Sequence, residues 1–259
     1  MNSDFSGKAV LVAGGTGGLG RAVSLAFLAS GAQVAVTWRN EKEFLALKDA
    51  AGEGASRLAG FNVDVTDARQ TADLANQILS QWKRLDVLVN TVGGYAGGIP
   101  LWNLEPEVLE RMVSLNLRSG YALAKAVVPA MIARKSGAIV NVAAKAAWDH
   151  AAGASAYAAT KAAVIALTRR FALELGRHGI TVNAVAPGFI QTDMAIGGGS
   201  PAEAQATIDD MAARAMVRRT GLPDDIANAV AFLVSSESSF ITAQTLTVDG
   251  GRMDYIAHP

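Results

Sequence analysis

Two side chains four residues apart, Tyr157 and Lys161, are the first candidates for chemistry in this 259-residue chain. On a helix that spacing puts both on one face, about 6 Å apart along the axis. A phenol with an ordinary pKa of about 10 is a poor acid or base at neutral pH. An ammonium beside it stabilises the phenolate and lowers that pKa. Tyr157 can then give a proton to a carbonyl oxygen that receives hydride, or take one in the reverse direction. The same spacing occurs on helices whose Tyr and Lys only cover surface, so the pair gains meaning from its context.

That context begins near the amino end. Ala13-Gly14-Gly15-Thr16-Gly17-Gly18-Leu19-Gly20 follows a short apolar run and leads straight into an amphipathic stretch. Glycines there let the backbone turn tightly and approach a pyrophosphate, whose charge then faces the amides of a helix start. Two spacings fit: GxGxxG through Gly15, Gly17 and Gly20, and GxxxGxG through Gly14, Gly18 and Gly20. Local sequence leaves that register open. An acidic residue at the end of the second strand would bind a ribose 2′-hydroxyl and favour NAD. Here the strand ends Thr37-Trp38-Arg39-Asn40. Arg39 can pair with a 2′-phosphate while its guanidinium stacks on adenine, which favours NADP(H). NAD(H) stays open, because Gly17 adds no second basic group to the loop.

The elements that must hold these residues follow from periodicity. Short β-branched runs alternate with longer helical patterns, the signature of an α/β chain folded as a doubly wound parallel sheet. Strands are expected at Lys8 to Ala13, Gln33 to Trp38, Arg57 to Val63, Asp86 to Val89, Ala138 to Val142, Thr181 to Ala186 and Thr245 to Val248. Helices are expected at Leu19 to Ser30, Glu41 to Ala51, Ala68 to Trp82, Pro106 to Ala133, Ser155 to Arg177 and Asp224 to Ser235. Asp67 stands where a cap belongs, and Pro106 and Pro223 where a first helical turn tolerates proline. No linker or repeat divides the chain, so residues 1–259 read as one Rossmann-type domain of about seven strands with helices on both faces. The least regular stretch, Ile190 to Pro201, contains Gly197-Gly198-Gly199 and reads as part of a substrate lid spanning 190–215.

Composition narrows the chemistry further. With no Cys there are no disulfides, thiol nucleophiles or thiolate metal sites, and the three His, His150, His178 and His258, have no metal-ligand spacing. No metal is expected. The 23 basic and 23 acidic residues balance, which argues against a nucleic-acid partner, and pairs such as Arg169-Arg170 and Arg218-Arg219 read as solvated helix ends. No apolar run is long enough for a membrane span, and Met1 to Ser6 lacks the basic start and apolar core of a signal peptide. A reduced, soluble, cytoplasmic protein acting on a small molecule is the expectation.

Taken together, these residues resemble the short-chain dehydrogenase/reductase family over nearly the whole chain. The matches are the GxxxGxG glycines, Asp64-Val65, Asn90-Thr91-Val92-Gly93, Asn116, Tyr157-Ala158-Ala159-Thr160-Lys161, and Pro187-Gly188 with Thr192. The resemblance implies an NADP(H)-preferring oxidoreductase. It implies cofactor contacts from Gly14, Gly15, Thr16, Gly18, Leu19 and Gly20 in the loop, and from Arg39, Asp64, Val65, Asn90 and Gly93 beyond it. Further contacts come from Lys161, Pro187, Gly188, Ile190 and Thr192. It makes Tyr157 the acid/base, Lys161 its pKa modifier and ribose anchor, and Asn116 the support for a water relay. It also implies a homodimer or homotetramer, paired through the helices at Pro106 to Ala133 and Ser155 to Arg177.

One match fails. The family carries a Ser where this chain has Ala144, at the end of the fifth strand, and that hydroxyl binds the substrate oxygen. Losing one such donor typically costs about 10²–10³ in rate. Three explanations stand: the chain binds cofactor without catalysis; Lys145, His150 or Ser155 substitutes for the hydroxyl, Lys145 and Ser155 otherwise reading as solvent-facing; or the substrate is a C=N or quinonoid system that does not need it. Ala144-Lys145-Ala146-Ala147 and Val92-Gly93-Gly94-Tyr95-Ala96-Gly97-Gly98 are locally similar to the dihydropteridine reductase branch. Trp82, Trp102 and Trp148 read as packing residues, although Tyr95 and Trp148 flank the expected cleft and suit an apolar substrate pocket beside Ala144.

Overall fold

The computed structural model describes residues 4–149, 152–197 and 199–252. Its strands are β1 (Ala9–Ala13), β2 (Gln33–Trp38), β3 (Leu58–Asn62), β4 (Val87–Asn90), β5 (Gly137–Val142), β6 (Ile180–Pro187) and β7 (Thr245–Val248). They form one parallel sheet in the order β3-β2-β1-β4-β5-β6-β7. The order reverses between β1 and β4. In such sheets ligands bind outside the carboxyl ends of the strands at that switch point.

Alternation of side chains along β1 shows why both faces are covered. Val10 and Val12 point into a core with Val23 and Phe27 of α1 (Gly18–Ala29) and Ile226 and Val230 of α9 (Pro223–Leu233). Leu11 and Ala13 point the other way, toward Leu74 and Ile78 of α3 (Ala68–Trp82), Leu123 and Val127 of α5 (Ser119–Arg134), and Ala172 and Leu175 of α6 (Ser155–Leu175). Burying each large apolar side chain contributes about 1.5–3 kcal/mol, against about 1 kcal/mol for a helix cap. The layers therefore decide the fold and the caps decide where helices begin. Asp67 caps α3 by accepting from the amides of Arg69 at 2.7 Å and Gln70 at 3.2 Å, and Pro106 and Pro223 open their helices as expected.

Two departures from the sequence expectation bear on the site. The single helix expected from Pro106 to Ala133 is α4 (Pro106–Val113), then a π-turn over Ser114–Arg118, then α5. Such a wide turn displaces one side chain from the regular helical row, and here it delivers Asn116 inward. The stretch expected to be irregular, Ile190 to Pro201, holds the short α7 (Asp193–Ile196), and the rest of the 190–215 segment, for which no helix was expected, holds α8 (Pro201–Ala213). Ser200 accepts from the Glu203 amide at 3.3 Å, and the Glu203 carboxylate accepts from the Ser200 amide at 2.7 Å. That capping box, with proline at the first helical position, was readable as Ser-Pro-Ala-Glu. Gly198 lies outside the described residues. No helix among the described residues is long and apolar enough to cross a membrane.

At the amino edge of the sheet Asp86 ties three strands and a helix together. Its carboxylate accepts from the Ala9 amide at 2.9 Å and from Arg84 Nε at 2.7 Å and Nη2 at 2.6 Å, with Arg134 at 3.4 Å. Its own amide and carbonyl bond Ala9 and Ala138. Burial alone would raise this carboxyl, but the Arg84 hydrogen bonds, the Ala9 amide and the charges of Arg84 and Lys8 outweigh it and hold the pKa below its ordinary 3.8. A depressed carboxylate contributes stability above its unfolded pKa and loses it as pH falls through the folded value. Asp86→Asn is expected to lower unfolding free energy by about 2 kcal/mol at neutral pH. In urea titrations the gap from the natural chain should close as pH falls below the ordinary carboxylate range.

Candidate active site

The phosphate-loop glycines do different work. Gly14 takes a left-handed turn at φ +73°, and a Cβ on Gly20 would strike the Gly14 carbonyl oxygen, so α1 can approach β1 only with glycine there. A Cβ on Gly18 would lie 2.8 Å from Thr192, and one on Gly15 would lie 2.5 Å from Val36. Gly17 alone of these leaves room, its nearest neighbour being the Gly14 oxygen at 3.7 Å. The tight positions therefore include Gly14, Gly18 and Gly20, which selects the GxxxGxG register that the sequence left open. Gly17 also caps α1 with no side-chain hydrogen bond, and the first turn holds no acidic residue. The helix thus offers its first amides to an external anion, as the diphosphate of a dinucleotide requires. Leu19 lies in that first turn and packs against the core.

Neighbouring strands hold this loop from both sides. Thr37 Oγ1 accepts from the Gly14 amide at 2.8 Å, and Thr91 Oγ1 donates to the Ala13 carbonyl at 2.7 Å. Asn90, the last residue of β4, is buried and accepts from the Val92 amide at 3.2 Å. Beyond β6, Gly188 packs on Asp249, Ile190 is buried, and Thr192 crosses to Gly18, so Pro187 to Thr192 runs beside the phosphate loop.

At the end of β2, Arg39 is 72% exposed and its guanidinium stands 3.4 Å from Asp64, the residue expected at adenine. Asp64 also accepts from the Thr66 amide at 2.9 Å and hydroxyl at 2.7 Å. The Thr66 hydrogen bonds hold its carboxyl below the usual value, with Arg39 a smaller influence. Val65 beside it is buried. Sequence reasoning passed over Glu43 in α2 (Glu41–Ala50), whose carboxylate accepts from Thr16 Oγ1 at 3.2 Å. No spacing rule links Glu43 to the loop; only its place in the first turn after β2 hinted at it.

The Tyr157–Lys161 pair lies at the carboxyl edge of β4 and β5. Lys161 is 4% exposed, and its ammonium donates to the Val142 carbonyl at 2.8 Å. Its Nζ is 5.9 Å from the centre of the Tyr157 ring. Asn116 Oδ1 accepts from the Gly94 amide at 2.9 Å, while Nδ2 donates to the Gly94 carbonyl and to Thr160 Oγ1, each at 3.1 Å. A Cβ on Gly93 would lie 2.8 Å from Asn116 Oδ1 and 3.2 Å from Lys161 Nζ. Bare backbone is therefore what lets the strand end, the π-turn and α6 converge.

The electrostatics correct one expectation. Tyr157 is not lowered by its neighbour. Burial, then Tyr95 and Asp149, push its phenol up to about 12. Burial also brings Lys161 down to about 8. The ammonium is held on a backbone carbonyl and does not offset the desolvation of the ring. What the pair offers is a neutral phenol that can donate a proton.

Ala144 is buried with extended backbone, immediately before a turn at Lys145–Ala147. Of the three proposed substitutes for the missing hydroxyl, Lys145 is not solvent-facing as expected. It is buried, and its ammonium stands 3.5 Å from the Arg252 carbonyl. Ser155 is exposed at the start of α6, and His150 lies outside the described residues. Tyr95 stacks edge-on against Tyr157 with ring centres 5.0 Å apart. The packing expectation holds for Trp82 and fails for Trp102, which is 85% exposed, and for Trp148, which is 44% exposed. Trp102 instead lines an open cleft of about 470 Å³ with Pro100, Leu101, Gly153 and Ser155.

Known proteins resemble this chain over nearly its whole length. A family model described as Enoyl-(Acyl carrier protein) reductase matches residues 13–252. The 3-oxoacyl-[acyl-carrier-protein] reductase FabG of Escherichia coli (strain K12) is 35% identical over 252 residues, 96% of this chain and 98% of the relative. The same-named protein of Staphylococcus aureus (strain Mu50 / ATCC 700699) is 35% identical over 246 residues, 94% of this chain and 97% of the relative. Among solved structures, a 7 alpha-hydroxysteroid dehydrogenase complexed with NADH and 7-oxo glycochenodeoxycholic acid superposes with a TM-score of 0.89 at 31% identity, covering 99% of this chain and 98% of that one. ElxO with NADP bound gives 0.88 at 30%, covering 94% and 98%. With the glycine loop, the seven-stranded sheet and these relatives in agreement, the chain belongs to the short-chain dehydrogenase/reductase family and is an oxidoreductase.

Proposed function

We propose that this protein reduces the carbonyl, or an equivalent C=N group, of a bulky apolar small molecule, with Tyr157 as proton donor. The observation that carries this reading is the buried Lys161 ammonium, fixed on the Val142 carbonyl one helical turn beyond Tyr157. A nicotinamide dinucleotide, when bound, supplies the hydride or accepts it. The chain's own residues do the rest. The amides of Gly18 and Leu19 at the start of α1 would face the diphosphate, with Gly14 and Gly20 allowing the approach. Asp64 and Val65 would face adenine, and Gly93, Lys161 and the segment from Pro187 to Thr192 the nicotinamide end. Arg39 supports a preference for NADP(H), in line with the NADP-bound relative, although another relative carries NADH.

A phenol pushed up to about 12 keeps its proton at neutral pH, so it is present in the protonated form that reduction of a carbonyl needs. Lys161 keeps positive charge beside the phenol, and Asn116 holds Gly94 and Thr160 so that the strand end and α6 keep their spacing. With Ala144 in place of a hydroxyl, the developing oxyanion has one donor fewer. That suits an acceptor already polarised by conjugation or by C=N. A dihydropterin-like substrate remains the rival reading, supported by Ala144 itself.

The apolar class rests on the rim of the site. Tyr95, Leu101, Trp102, Trp148, Met194, Met216 and Val217 are all exposed, on segments that follow β4, β5 and β6 or pack against the end of β7. The hydroxysteroid dehydrogenase relative, complexed with 7-oxo glycochenodeoxycholic acid, supports an apolar substrate, and the relatives named as 3-oxoacyl-[acyl-carrier-protein] reductases support reduction of a carbonyl. Segment 190–215, with α7 and α8, would close over the substrate. Exposed Tyr121 on α5 and Leu173 on α6 support pairing of those helices in a homodimer or homotetramer, and a cytoplasmic setting fits the cysteine-free composition.

Tyr157→Phe is expected to lower kcat for reduction by about 10²–10⁴ while leaving dinucleotide binding within a few fold, measured by NAD(P)H oxidation and by binding titration. Unchanged turnover would sink the reading. Ala144→Ser is expected to raise kcat/KM on an unactivated cyclic ketone by up to about 10²–10³ and to change little on a conjugated or C=N substrate. An equal effect on both classes would remove the argument from Ala144.

A further inference from the structure

We propose that Glu43 is the acidic residue that selects against a 2′-phosphate, reaching from α2 the place where the end of β2 offers only Arg39. This inference rests on the dinucleotide reading and goes beyond it. An acid at the end of β2 would bind the ribose 2′-hydroxyl, and the sequence Trp38-Arg39-Asn40 has none. The fold supplies a carboxylate from one helical turn further on.

Packing fixes that carboxylate. Phe44 stacks on Trp38 with ring centres 5.8 Å apart and planes 12° apart, and it fills the space a Cβ on Gly60 would need. Seated this way on β2 and β3, the first turn of α2 presents Glu43 to the phosphate loop. Its Oε2 accepts from Thr16 Oγ1 at 3.2 Å, and its Oε1 accepts from Asn40 Nδ2 at 3.3 Å. Asn40 in turn caps α2 by accepting from the Lys42 amide at 3.1 Å. Thr16 itself is buried in the loop between β1 and α1. The carboxylate thus bridges the phosphate loop and the end of β2, the two segments between which this fold lays the adenosine ribose.

A 2′-hydroxyl can donate to such a carboxylate. A 2′-phosphate has only acceptor oxygens and about −1.5 to −2 of charge, and it meets repulsion there. Arg39 does not fully offset this, because its guanidinium already stands against Asp64 at 3.4 Å. A plain role for Glu43 at a helix start would account for an acid in the first turn. Glu41 fills that role equally, and no contact to Thr16 is needed for it. Glu43 therefore holds down the NADP preference that Arg39 creates and keeps NAD(H) within reach.

The test is direct binding of NAD+ and NADP+ to the full chain without substrate, by isothermal titration, for the natural protein, Glu43→Gln and Glu41→Gln. Glu43→Gln is expected to tighten NADP+ relative to NAD+ by about tenfold, less at high salt, because one like charge near the phosphate is removed at unchanged size. Glu41→Gln should leave the ratio where it was. An unchanged ratio in Glu43→Gln overturns the proposal, as does an equal shift from Glu41→Gln, which would make the effect a property of the whole helix start. If neither dinucleotide binds the natural chain, the cofactor reading itself falls. If both bind and only the ratio fails to move, the role of Glu43 alone falls.

Discussion

The hydrogen bond from the buried Lys161 ammonium to the Val142 carbonyl organises the site. An ammonium taken out of water is costly unless polar groups replace its hydration, and here the end of β5 provides one at 2.8 Å. That requirement draws α6 against the carboxyl edge of the sheet and sets Tyr157 one turn earlier at the cleft. It also leaves no room for a side chain at Gly93, where any larger group would meet both Asn116 and Lys161. The pair and the bare glycine are one arrangement around a single buried charge.

A second constraint acts at the other end of the groove, where backbone replaces side chain. Gly20 can sit under the Gly14 carbonyl and Gly18 beside Thr192 only because neither has a Cβ. The first amides of α1 consequently face the switch point between β1 and β4 without a side-chain cap. Anion binding there is electrostatic and general to the fold. Discrimination is left to the periphery, where Arg39, Asp64, Glu43 and Thr16 form a small set of opposed charges and donors. Between the two ends the substrate side is apolar, and Ala144 keeps it so.

Much of this was legible in the sequence because it depends on local pattern. β-branched runs bury both faces of a parallel sheet, so the strands and their order of appearance read directly. The glycine loop, Tyr157 and Lys161 read from spacing, and Asp67 from capping chemistry. What escaped depends on distance in space. The π-turn comes from Asn116 meeting the Gly94 backbone, a contact between residues far apart in sequence. Lys145 looked solvent-facing because a partner, the Arg252 carbonyl, comes from a residue far along the chain. Trp102 looked like core because tryptophan usually is, while the cleft that exposes it is built by the segment before α6. The direction of the Tyr157 shift was misread because spacing reveals a neighbouring ammonium but not how deeply the ring is buried. Also missed was α8, although its capping box at Ser200 and Glu203 is a local signal.

The central claim is that a neutral Tyr157 donates the proton while a charged Lys161 stands beside it. The pH dependence of kcat/KM for reduction of an apolar ketone tests this most directly. With burial bringing Lys161 down to about 8, its ammonium is present below that pH and lost above it. The expected profile is level through neutral pH and falls with a single ionisation near 8, well before the phenol at about 12 gives up its proton. A rate that stays level to pH 10, or one that rises with pH as phenolate forms, would contradict the account.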